Sequence, residues 1–431
     1  MKKINLFLFA LSLTVLASSC VKDQCKQELT YTNYTPVYLS YDLIRAEIKN
    51  EAPRALEHPG KIYFYQNYIF INEKEKGIHL IDNRDPNSPQ PISFLPIMGN
   101  VDMAVKNNRM YADNYTDLVV LDISDLSQVR VVERQEDVFS LNGFDENGVI
   151  IRYDQEEVTE DIDCNYDPNM SWGRLNGGEF FSVDQAFPSG GFQTNNPTTG
   201  IVGGAPATGT GGSFARFSLY ENYLYIVEQR VIRIFDINNP EQPNEQLSVR
   251  TGLNAETAYN YRDHLFIGGT NGMNIFDLSN PASPNHIGGY THQTGCDPVA
   301  VHGNYAYVTI RQGRSCQGEL DQLDVLDITD ITAPVLEASF EMENPHGLSV
   351  TEEAVFLCEG EGGLKVFDNA DPLTVGRNQL AHLDNFEAYD VINVPGQEDI
   401  LLLIGADGFF QFDVSDPEQP REISHIPVIT P

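Results

Sequence analysis

The sequence predicts an all-β fold made of repeated sheets, and three observations support this prediction. The 431 residues include 34 glycines, 24 prolines, 20 tyrosines and 23 phenylalanines, a composition typical of short strands joined by tight turns. Long stretches with the period of an amphipathic helix are missing after the N-terminus. A short phrase also recurs, as "LDVLDITDITAP" from Leu323 and again as "FQFDVSDPEQP" from Phe410.

The phrase consists of alternating hydrophobic residues, an aspartate and a turn that contains proline. Seven clear copies and a weaker eighth, "EFFSVDQAFP", place their aspartates at Asp82, Asp122, Asp184, Asp236, Asp277, Asp327, Asp368 and Asp413. Successive intervals are 40, 62, 52, 41, 50, 41 and 45 residues, and a period near 40 with strand-like content is typical of propeller blades. We therefore expect a β-propeller of about eight four-stranded blades. Seven blades is the alternative, if residues 138–212 are an insertion.

One unit, residues 297–340, divides into four strands. "DPVAVHG" is a strand that ends in a turn, where Gly303 and Asn304 supply backbone freedom. "YAYVTI" and "QLDVLDI" follow as aromatic and β-branched strands, and "VLEASF" is the fourth. The first such strands begin near residue 60 and the last copy ends close to the C-terminus. Whether the ring closes by exchanging a strand between the termini is left open.

The eight repeated aspartates are expected to act in turns and not in catalysis. An aspartate or asparagine side chain can accept hydrogen bonds from nearby backbone N–H groups where a strand ladder stops. Proline fixes φ and blocks further strand pairing. The phrase is therefore interpreted as the end of a strand and the turn of a hairpin.

The phrase resembles the LVIVD repeat of secreted bacterial β-propeller proteins. The resemblance covers roughly residues 60–428 and rests on the number and the period of the copies. It implies the propeller fold and implies no common reaction. The unit at Asp184 departs from the pattern, because its proline turn is degraded and it carries long inserts.

The N-terminus is typical of a secretory signal. Residues 1–19 have Lys2 and Lys3, an apolar run and small residues before Cys20. The stretch "LASSC" resembles a bacterial lipobox, which implies that Cys20 is acylated and becomes the first residue of the mature chain. Residues 20–57 are then anchor and tether, and residues 58–431 form the propeller. The alternative is an ordinary secretory signal that contains a cysteine.

These features predict a lipid-anchored protein of the cell envelope that does not span the membrane. The segment "VKDQC" behind the anchor resembles the export signal of some Bacteroidetes lipoproteins, which implies the outer membrane and its surface. The formal charge of −35 repels phosphate backbones and argues against nucleic acid as a partner. Solubility alone is the simpler explanation of that charge.

Five cysteines remain if Cys20 is acylated. Cys296 and Cys316 lie at two ends of one repeat unit and are favoured as a disulfide. Cys358 lies in the strand "AVFLCEG" and is expected to be a buried free thiol. Cys25 with Cys164 is a further possible pair. No CxxC spacing occurs, which disfavours a zinc site.

Two long inserts interrupt the repeats, at residues 154–174, which contain Trp172, and at residues 186–213. Loops on a rigid scaffold often carry function, and the alternative is a surface excursion without a role. The first insert offers a candidate Ca²⁺ site, which uses alternate oxygen-bearing residues Asp161, Asp163, Asn165 and Asp167. The EF-hand glycine and glutamate are absent, so a solvated acidic loop is favoured. No cofactor is required by the sequence.

A second candidate site lies where the inner strands begin, near the central channel. The polar residues there are Asp102, Asp137, Glu256, Asp297, His346 and Glu387, with His58 near the first strand. The unit that starts near Ala215 lacks an acid at this position. Such a ring could bind a divalent cation or sugar hydroxyls, and gathered carboxylates would have raised pKa values. The alternative is strand-end polarity that faces water.

Two functions follow, and function must be argued from a site, not from a fold. The first is a binding or scaffold protein whose partner is an envelope protein or a glycan. The second is a polysaccharide hydrolase or lyase at the channel mouth, which requires two carboxylates, or a histidine and a carboxylate, close together in a pocket. The motifs GxSxG, HExxH and Walker A are absent, which favours binding.

Overall fold

The computed structural model describes residues 26–139, 143–163, 208, 210–211, 215–292, 298–312 and 320–429. These residues belong to two compact units. The smaller unit is Met1–Leu39 with Asp145–Val183, and the larger is Ser40–Phe144 with Asp184–Pro431. No described helix has the length and apolar character needed to cross a membrane.

The smaller unit is built on one long pair of antiparallel strands that are distant in sequence. Strand β1 (Lys26–Leu39) pairs with β11 (Gly148–Asp163), and the two-residue strand β10 (Phe144–Asp145) extends the sheet beside β11. Threonine and tyrosine dominate β1, and both residues favour extended backbone. Thr30 lies directly opposite Thr159, and their hydroxyl oxygens are 3.0 Å apart, a typical cross-strand pair.

The larger unit contains seven sheets, which we call blades 1 to 7. The short helix α1 (Tyr41–Ile44) precedes them. Blade 1 contains β2 (Pro59–Tyr65), β3 (Tyr68–Glu73), β4 (Gly77–Asp82) and β5 (Gln90–Leu95). Blade 2 contains β6 (Met103–Lys106), β7 (Arg109–Asn114), β8 (Asp117–Asp122) and β9 (Arg130–Gln135). Strand β12 (Thr210–Gly211) joins blade 1 as a fifth strand.

The remaining blades repeat the same order of antiparallel strands. Blade 3 contains β13 (Phe217–Tyr220), β14 (Tyr223–Glu228), β15 (Val231–Asp236), β16 (Asn244–Glu245) and β17 (Val249–Arg250). Blade 4 contains β18 (Ala255–Tyr261), β19 (His264–Gly269), β20 (Gly272–Asp277) and β21 (Asn285–Thr291). Blade 5 contains β22 (Val299–His302), β23 (Tyr305–Ile310), β24 (Gln322–Asp327) and β25 (Val335–Glu341).

Blades 6 and 7 complete the larger unit. Blade 6 contains β26 (Leu348–Val350), β27 (Ala354–Cys358), β28 (Leu364–Asp368) and β29 (Gln379–Leu383), with a short 3₁₀ helix at Pro372–Arg377. Blade 7 contains β30 (Asp390–Val394), β31 (Gln397–Gly405), β32 (Gly408–Asp413) and β33 (Arg421–Pro427). In every blade the strands run outward in chain order, and in blade 1 the added strand β12 lies on the inner edge of β2.

The blades form a closed ring because each first strand contacts the first strand of the next blade, and β2 contacts β30 and β31. The apolar core lies between the blades, so the inner and middle strands are buried on both faces, whereas the outer strands carry exposed residues. Between blades 7 and 1, Phe64 and Ile71 share a cluster with Phe409.

Among the described residues, ring closure uses one bridge between the ends of the propeller and no exchanged strand. Leu56 forms a parallel bridge with Val428, and the backbone N–H of Ile429 donates to the carbonyl of Leu56 at 2.9 Å. The first four strands of blade 1 and all four of blade 7 each come from one continuous stretch of chain. This settles the question that the sequence leaves open.

The prediction of an all-β propeller is confirmed. The described residues form eight antiparallel sheets, of which the seven of the larger unit have the blade pattern. The eighth is the three-stranded sheet of the smaller unit, and it contains residues 144–163 of the expected insertion. The seven-blade alternative therefore describes the larger unit. The weak copy at Asp184 lies outside the described residues.

The repeated aspartates end the third strand of each blade and stabilise the turn that follows. In all seven described copies the carboxylate accepts a hydrogen bond from the backbone N–H two residues later, as in an Asx-turn. The donor–acceptor distances are 2.7–3.0 Å at Asp82, Asp122, Asp236, Asp277, Asp327, Asp368 and Asp413. The recurrence of aspartate at this position is therefore explained by a local hydrogen bond that stabilises the turn.

The same turns also connect neighbouring blades. The hydroxyl of Tyr111 in blade 2 donates to the carbonyl of Pro240 in blade 3 at 3.1 Å. The hydroxyl of Tyr225 in blade 3 donates to the carbonyl of Pro281 in blade 4 at 2.8 Å. Tyr307 of blade 5 donates to Asn369 of blade 6 at 2.6 Å. The turns of blades 3, 4 and 6 thus accept a hydrogen bond from the preceding blade.

The seam between blades 7 and 1 uses an amide in place of a tyrosine. The Gln411 side chain exchanges two hydrogen bonds with the Asn83 side chain, at 2.8 and 2.9 Å. It also donates to the carbonyl of Pro86 at 3.0 Å. The seam between blades 7 and 1 therefore uses the repeated turn as an acceptor, as the three interfaces with a tyrosine donor do.

The described cysteine is Cys358, a free thiol in β27. Burial raises the pKa of this thiol well above its usual value, which makes it unreactive. Cys20, Cys25, Cys164, Cys296 and Cys316 lie outside the described residues, so the anchor and the disulfide remain predictions.

We expect Tyr225→Phe to lower the free energy of unfolding by about 1–2 kcal/mol, because it removes the donor to a buried carbonyl at a blade interface. Urea denaturation measures this change. Tyr305→Phe is the matched control, since the hydroxyl of the half-buried Tyr305 has no partner among the described residues. Equal effects of the two substitutions would contradict a role for the inter-blade hydrogen bond.

We also expect a pH-dependent effect of Asp122→Asn. Burial alone would raise the pKa of Asp122, but hydrogen bonds from Arg130 and Ser124 and the charge of Arg109 hold it well below 3.8. Such a carboxylate contributes stability above its unfolded pKa and loses that contribution as the pH falls. The difference in free energy of unfolding between wild type and Asp122→Asn should therefore shrink between pH 7 and pH 2.

Urea denaturation at several pH values measures this difference. Glu337→Gln, at an exposed carboxylate of β25, is the control and should show a small difference at every pH. A constant difference for Asp122→Asn across the range would show that its charge is not what stabilises the turn.

Candidate binding site at the channel mouth

The inner strands of all seven blades begin at the same face of the ring, which we call the start face. The opposite face carries the repeated aspartate turns, and we call it the turn face. A buried ion pair joins blades 1 and 2 at the start face. The Lys61 ammonium lies 2.7 Å from Asp102 Oδ2, and both side chains are nearly inaccessible to solvent.

Asp102 also fixes the beginning of blade 3. Its carboxylate accepts hydrogen bonds from the backbone N–H groups of Arg216 and Phe217. Burial lowers the pKa of Lys61, and the charge of Asp102 opposes that effect. Removing one member of such a pair would leave an uncompensated buried charge, so this pair is expected to be structural.

Blades 3, 4 and 5 contribute Arg216, Glu256 and Arg311 to the start face. Burial raises the pKa of Glu256 to about 7, while the positive charges of Arg216 and Arg311 act in the opposite direction. The three side chains are half-buried. Arg216 directly precedes β13, Glu256 is the second residue of β18 and Arg311 directly follows β23, which places all three at the start face.

Blades 5, 6 and 7 meet through Arg311, His346 and Tyr389. The Arg311 Nη1 atom is 2.9 Å from His346 Nδ1 and 2.8 Å from Nε2. A guanidinium can only donate and a neutral imidazole has one acceptor nitrogen, so one of these two contacts is a hydrogen bond to a neutral ring. Burial, followed by the charges of Arg311 and Lys74, lowers the pKa of His346 to about 3. The His346 and Tyr389 ring centroids are 5.6 Å apart.

Lys74 of blade 1 lies beside the residues of blades 6 and 7 at the start face. Its ammonium lies 5.6 Å from the Tyr389 ring centroid, and it is close enough to His346 and Glu387 for their charges to influence one another. The Glu387 backbone N–H donates to the carboxylate of Asp407 at 2.8 Å, which holds the start of blade 7.

Each blade thus contributes one titratable side chain to a ring at the start face, which we call the mouth ring. In blade order its members are Lys61, Asp102, Arg216, Glu256, Arg311, His346 and Glu387. Lys74 and Tyr389 lie beside it. Cations and carboxylates alternate around most of the ring, so it is a mixed-charge surface and not an acidic one.

A returning arm of the insertion lines the channel below this ring. Thr210 and Gly211 pair with Phe64 and Tyr63 on the edge of β2 that faces the axis. Thr208 forms an antiparallel bridge with Lys106 of blade 2. A Cβ atom at Gly211 would lie 3.1 Å from the Tyr63 ring, so the arm approaches the inner strand closely. The channel is narrowed on the side of blades 1 and 2.

The structure brings together four of the six residues that the sequence nominated for this ring: Asp102, Glu256, His346 and Glu387. Asp137 lies elsewhere, because its carboxylate is 2.9 Å from Arg45, beside the start of β8. Asp137 follows the outer strand of blade 2 in the sequence. It is not at the start of an inner strand, because the inner strand of blade 3 begins only after the insertion. The backbone of His58 donates to Glu73. Asp297 lies outside the described residues.

The sequence did not indicate the cations of the mouth ring, Lys61, Arg216 and Arg311, or Lys74 beside it. One signal was present: the unit that begins near Ala215 has arginine where the others have an acid. Lys74 and Arg311 follow the ends of second strands, which meet the starts of inner strands at the same face. A search restricted to first strands could not find them.

The described residues contain no cluster of three or more histidine, cysteine, aspartate or glutamate side chains that could hold a metal. In the mouth ring, each carboxylate faces a cation. The side chains of Asp161, Asp163, Asn165 and Asp167 lie outside the described residues, so the Ca²⁺ site there remains a prediction.

A family model described as the LVIVD repeat matches residues 101–136, 211–251, 261–292 and 296–341. These four matches correspond to blades 2 to 5. A search of curated protein sequences finds no match.

Solved structures with the same fold are distant in sequence. Sqt1 of Saccharomyces cerevisiae is 8% identical over 91% of this chain and 89% of its own, with a TM-score of 0.50. The computationally designed Ika8 protein is 12% identical over 89% and 92%, with a TM-score of 0.49. Hsv2 of Kluyveromyces lactis is 9% identical over 85% and 100%, with a TM-score of 0.46.

At such low identity, the similarity to Sqt1 concerns the fold alone. The four repeat matches and the fold shared with Sqt1 agree with the strand order of the blades described above. The chain therefore contains four LVIVD repeats and folds as a β-propeller.

Proposed function

We propose that the protein is a lipid-anchored binding or scaffold protein of the cell envelope, which engages its partner through the start face of the propeller. A propeller-like repeat fold suggests a binding or scaffold role. The observation that carries the proposal is the mouth ring, in which every blade places a titratable side chain at the start face and neighbouring blades are joined by the Lys61–Asp102 ion pair and the Arg311–His346 contact. Partly buried polar groups around a concavity are typical of binding sites.

The geometry favours binding over polysaccharide hydrolysis. A glycosidase needs two carboxylates that flank the scissile bond. Burial raises the pKa of Asp113, beside Asp102, to about 6, but backbone N–H groups of Val101 and Asp102 donate to it at 2.8 and 2.9 Å. Donors of the protein itself thus engage both carboxylates.

The described histidine–carboxylate pair is also structural. His79 Nε2 lies 3.0 Å from Glu73 Oε2, and both side chains are buried. The same carboxylate accepts backbone hydrogen bonds from Glu57 and His58, and thereby holds the segment that leads into blade 1. Neither oxygen is available to a substrate.

The lipid on Cys20 would attach the protein to the membrane, with residues 20–57 leading towards the first blade. The resemblances of the N-terminus support an outer-membrane location with exposure at the cell surface. The partner we propose is an envelope protein or a glycan. Nucleic acid is disfavoured because a protein of formal charge −35 repels phosphate backbones.

A glycan array prepared from bacterial envelope polysaccharides tests the binding role. The mature protein should bind a subset of spots, and Arg311→Met should bind less because it removes a cation of the mouth ring. Lys49→Met is the matched control, since Lys49 is exposed in the segment before blade 1. If Arg311→Met and Lys49→Met bind equally well, the start face is not the binding surface.

We expect Cys20→Ala to abolish lipidation and to release the protein from the membrane. Labelled palmitate, supplied to a Gram-negative host that expresses the full chain, reports acylation, and fractionation reports location. Cys25→Ala is the control and should remain labelled and membrane-bound. Equal labelling of wild type and Cys20→Ala would refute the anchor.

A further inference from the structure

We propose that the side chains of Lys61 and Asp102 condense to an amide bond after folding, so that a covalent cross-link joins blade 1 to blade 2. An ammonium and a carboxylate that lose one water molecule form an amide, so the buried ion pair contains every atom that the bond needs. The reaction requires no oxidant, in contrast to a disulfide. It is independent of whatever ligand the start face binds.

The fold holds the two reacting groups in contact. Lys61 belongs to β2, and Asp102 directly precedes β6. The Lys61 Nζ atom lies 2.7 Å from Asp102 Oδ2, and only 5% and 3% of the two side chains are exposed. The carbon to be attacked, Asp102 Cγ, is bonded to that oxygen. Reacting groups that a fold orients in this way can reach effective concentrations of about 10⁵–10⁸ M.

Burial favours the uncharged amine that the reaction requires. A lysine is a nucleophile only after its ammonium has lost a proton, and desolvation promotes that loss. Burial lowers the pKa of Lys61, although the charge of Asp102 opposes this effect. At 2.7 Å, the ammonium can pass its proton directly to the Asp102 carboxylate. The product is a neutral amine beside a carboxylic acid, a pair that a water-poor site tolerates better than isolated charges.

Backbone N–H groups surround the Asp102 carboxyl group. Those of Arg216 and Phe217 donate to Oδ2, and that of Met103 donates to Oδ1 at 2.7 Å. When the amine attacks Cγ, negative charge develops on a carboxyl oxygen, and donors aimed at that oxygen stabilise the charge. The donors that hold the ion pair are therefore also positioned for the tetrahedral intermediate.

Asp113 is the group that we assign to the remaining proton transfer. Its Oδ1 atom accepts the backbone N–H groups of Val101 and Asp102 at 2.8 and 2.9 Å, and the side-chain amide of Asn100 at 2.8 Å. The Asp113 carboxyl group is thus fixed against the backbone of Asp102. Burial raises the pKa of Asp113 to about 6, which suits a group that both accepts and donates a proton near neutral pH.

The atoms of the reaction balance. The bond between Lys61 Nζ and Asp102 Cγ forms, and one Cγ–oxygen bond breaks. Asp113 takes a proton from the attacking nitrogen and gives a proton to the leaving oxygen, which departs as water. The closed loop runs from residue 61 to residue 102 and contains β3, β4 and β5. A cross-link of this kind restricts the unfolded chain, as a disulfide does.

An exposed pair with the same distance provides an internal control. Lys49 Nζ also lies 2.7 Å from a carboxylate oxygen, that of Glu47, but 67% and 72% of these side chains are exposed. Water solvates both charges there, so the ammonium keeps its proton and no amide forms.

Mass spectrometry of the purified mature protein, denatured and digested with trypsin, tests the proposal. Trypsin cuts after lysine and arginine but not after a lysine whose Nζ is part of an amide. Residues 55–74 should therefore stay uncut at Lys61 and be joined to residues 85–106 in one branched peptide. Its mass should be lower than the sum of the two peptides by one water molecule. Lys49 should be cut as usual.

Two variants separate the bond from the ion pair. Lys61→Met removes the nucleophile and should yield no branched peptide. Asp113→Asn keeps an oxygen that accepts the three N–H donors but cannot transfer the proton, so the branched peptide should be lost and Lys61 should be cut. Circular dichroism establishes that each variant is folded, and the wild-type digest decides the main question if Lys61→Met does not fold.

The wild-type digest can overturn the proposal in two ways. Cleavage at Lys61, with both peptides at the masses of their sequences, would show that the pair is an ion pair only. A cross-link between Lys49 and Glu47 as well would show unspecific chemistry of the preparation. A branched peptide that persists in Asp113→Asn would refute the role given to Asp113. None of these results bears on ligand binding, which the glycan array measures separately.

Discussion

A hydrogen bond from one blade to the repeated turn of the next is the recurring contact on which four of the seven blade interfaces depend. Tyr111, Tyr225 and Tyr307 make it at three interfaces, and Gln411 makes the corresponding contact at the seam with blade 1. A single sheet with two apolar faces cannot be stable in water, so every blade needs both neighbours. The Asx-turn gives each turn a fixed shape, and the fixed shape lets its carbonyl serve as an acceptor for the preceding blade.

Closure of the ring has a consequence for the channel. It brings the starts of seven inner strands to one face, where side chains that are distant in sequence influence one another. Lys74 and His346 belong to the first and sixth blades, yet the charge of Lys74 helps to lower the pKa of His346. In a protein with a formal charge of −35, four cations gather at this mouth. The fold thus creates a local electrostatic environment unlike that of the surface as a whole.

The repeat phrase allowed the blades, their strand order and the role of the aspartates to be predicted, because each depends on local sequence. The number of blades depended on whether residues 144–163 would form a blade, and their partner, β1, lies more than a hundred residues earlier in the chain. In the site, Glu256 and His346 could be nominated because they lie near the starts of inner strands. Arg311 could not, since its relation to His346 arises only when neighbouring blades dock.

The central claim is that the charges of the mouth ring converge from different blades. The pKa of Glu256 in wild type and in Arg311→Met tests it most directly, obtained as the difference between titrations of each protein and its Glu256→Gln counterpart. The pKa of Glu256 should rise above about 7 in Arg311→Met, because the substitution removes a positive charge that favours the carboxylate. An unchanged pKa in a folded variant would show that blades 4 and 5 do not bring these side chains together, and would contradict the account.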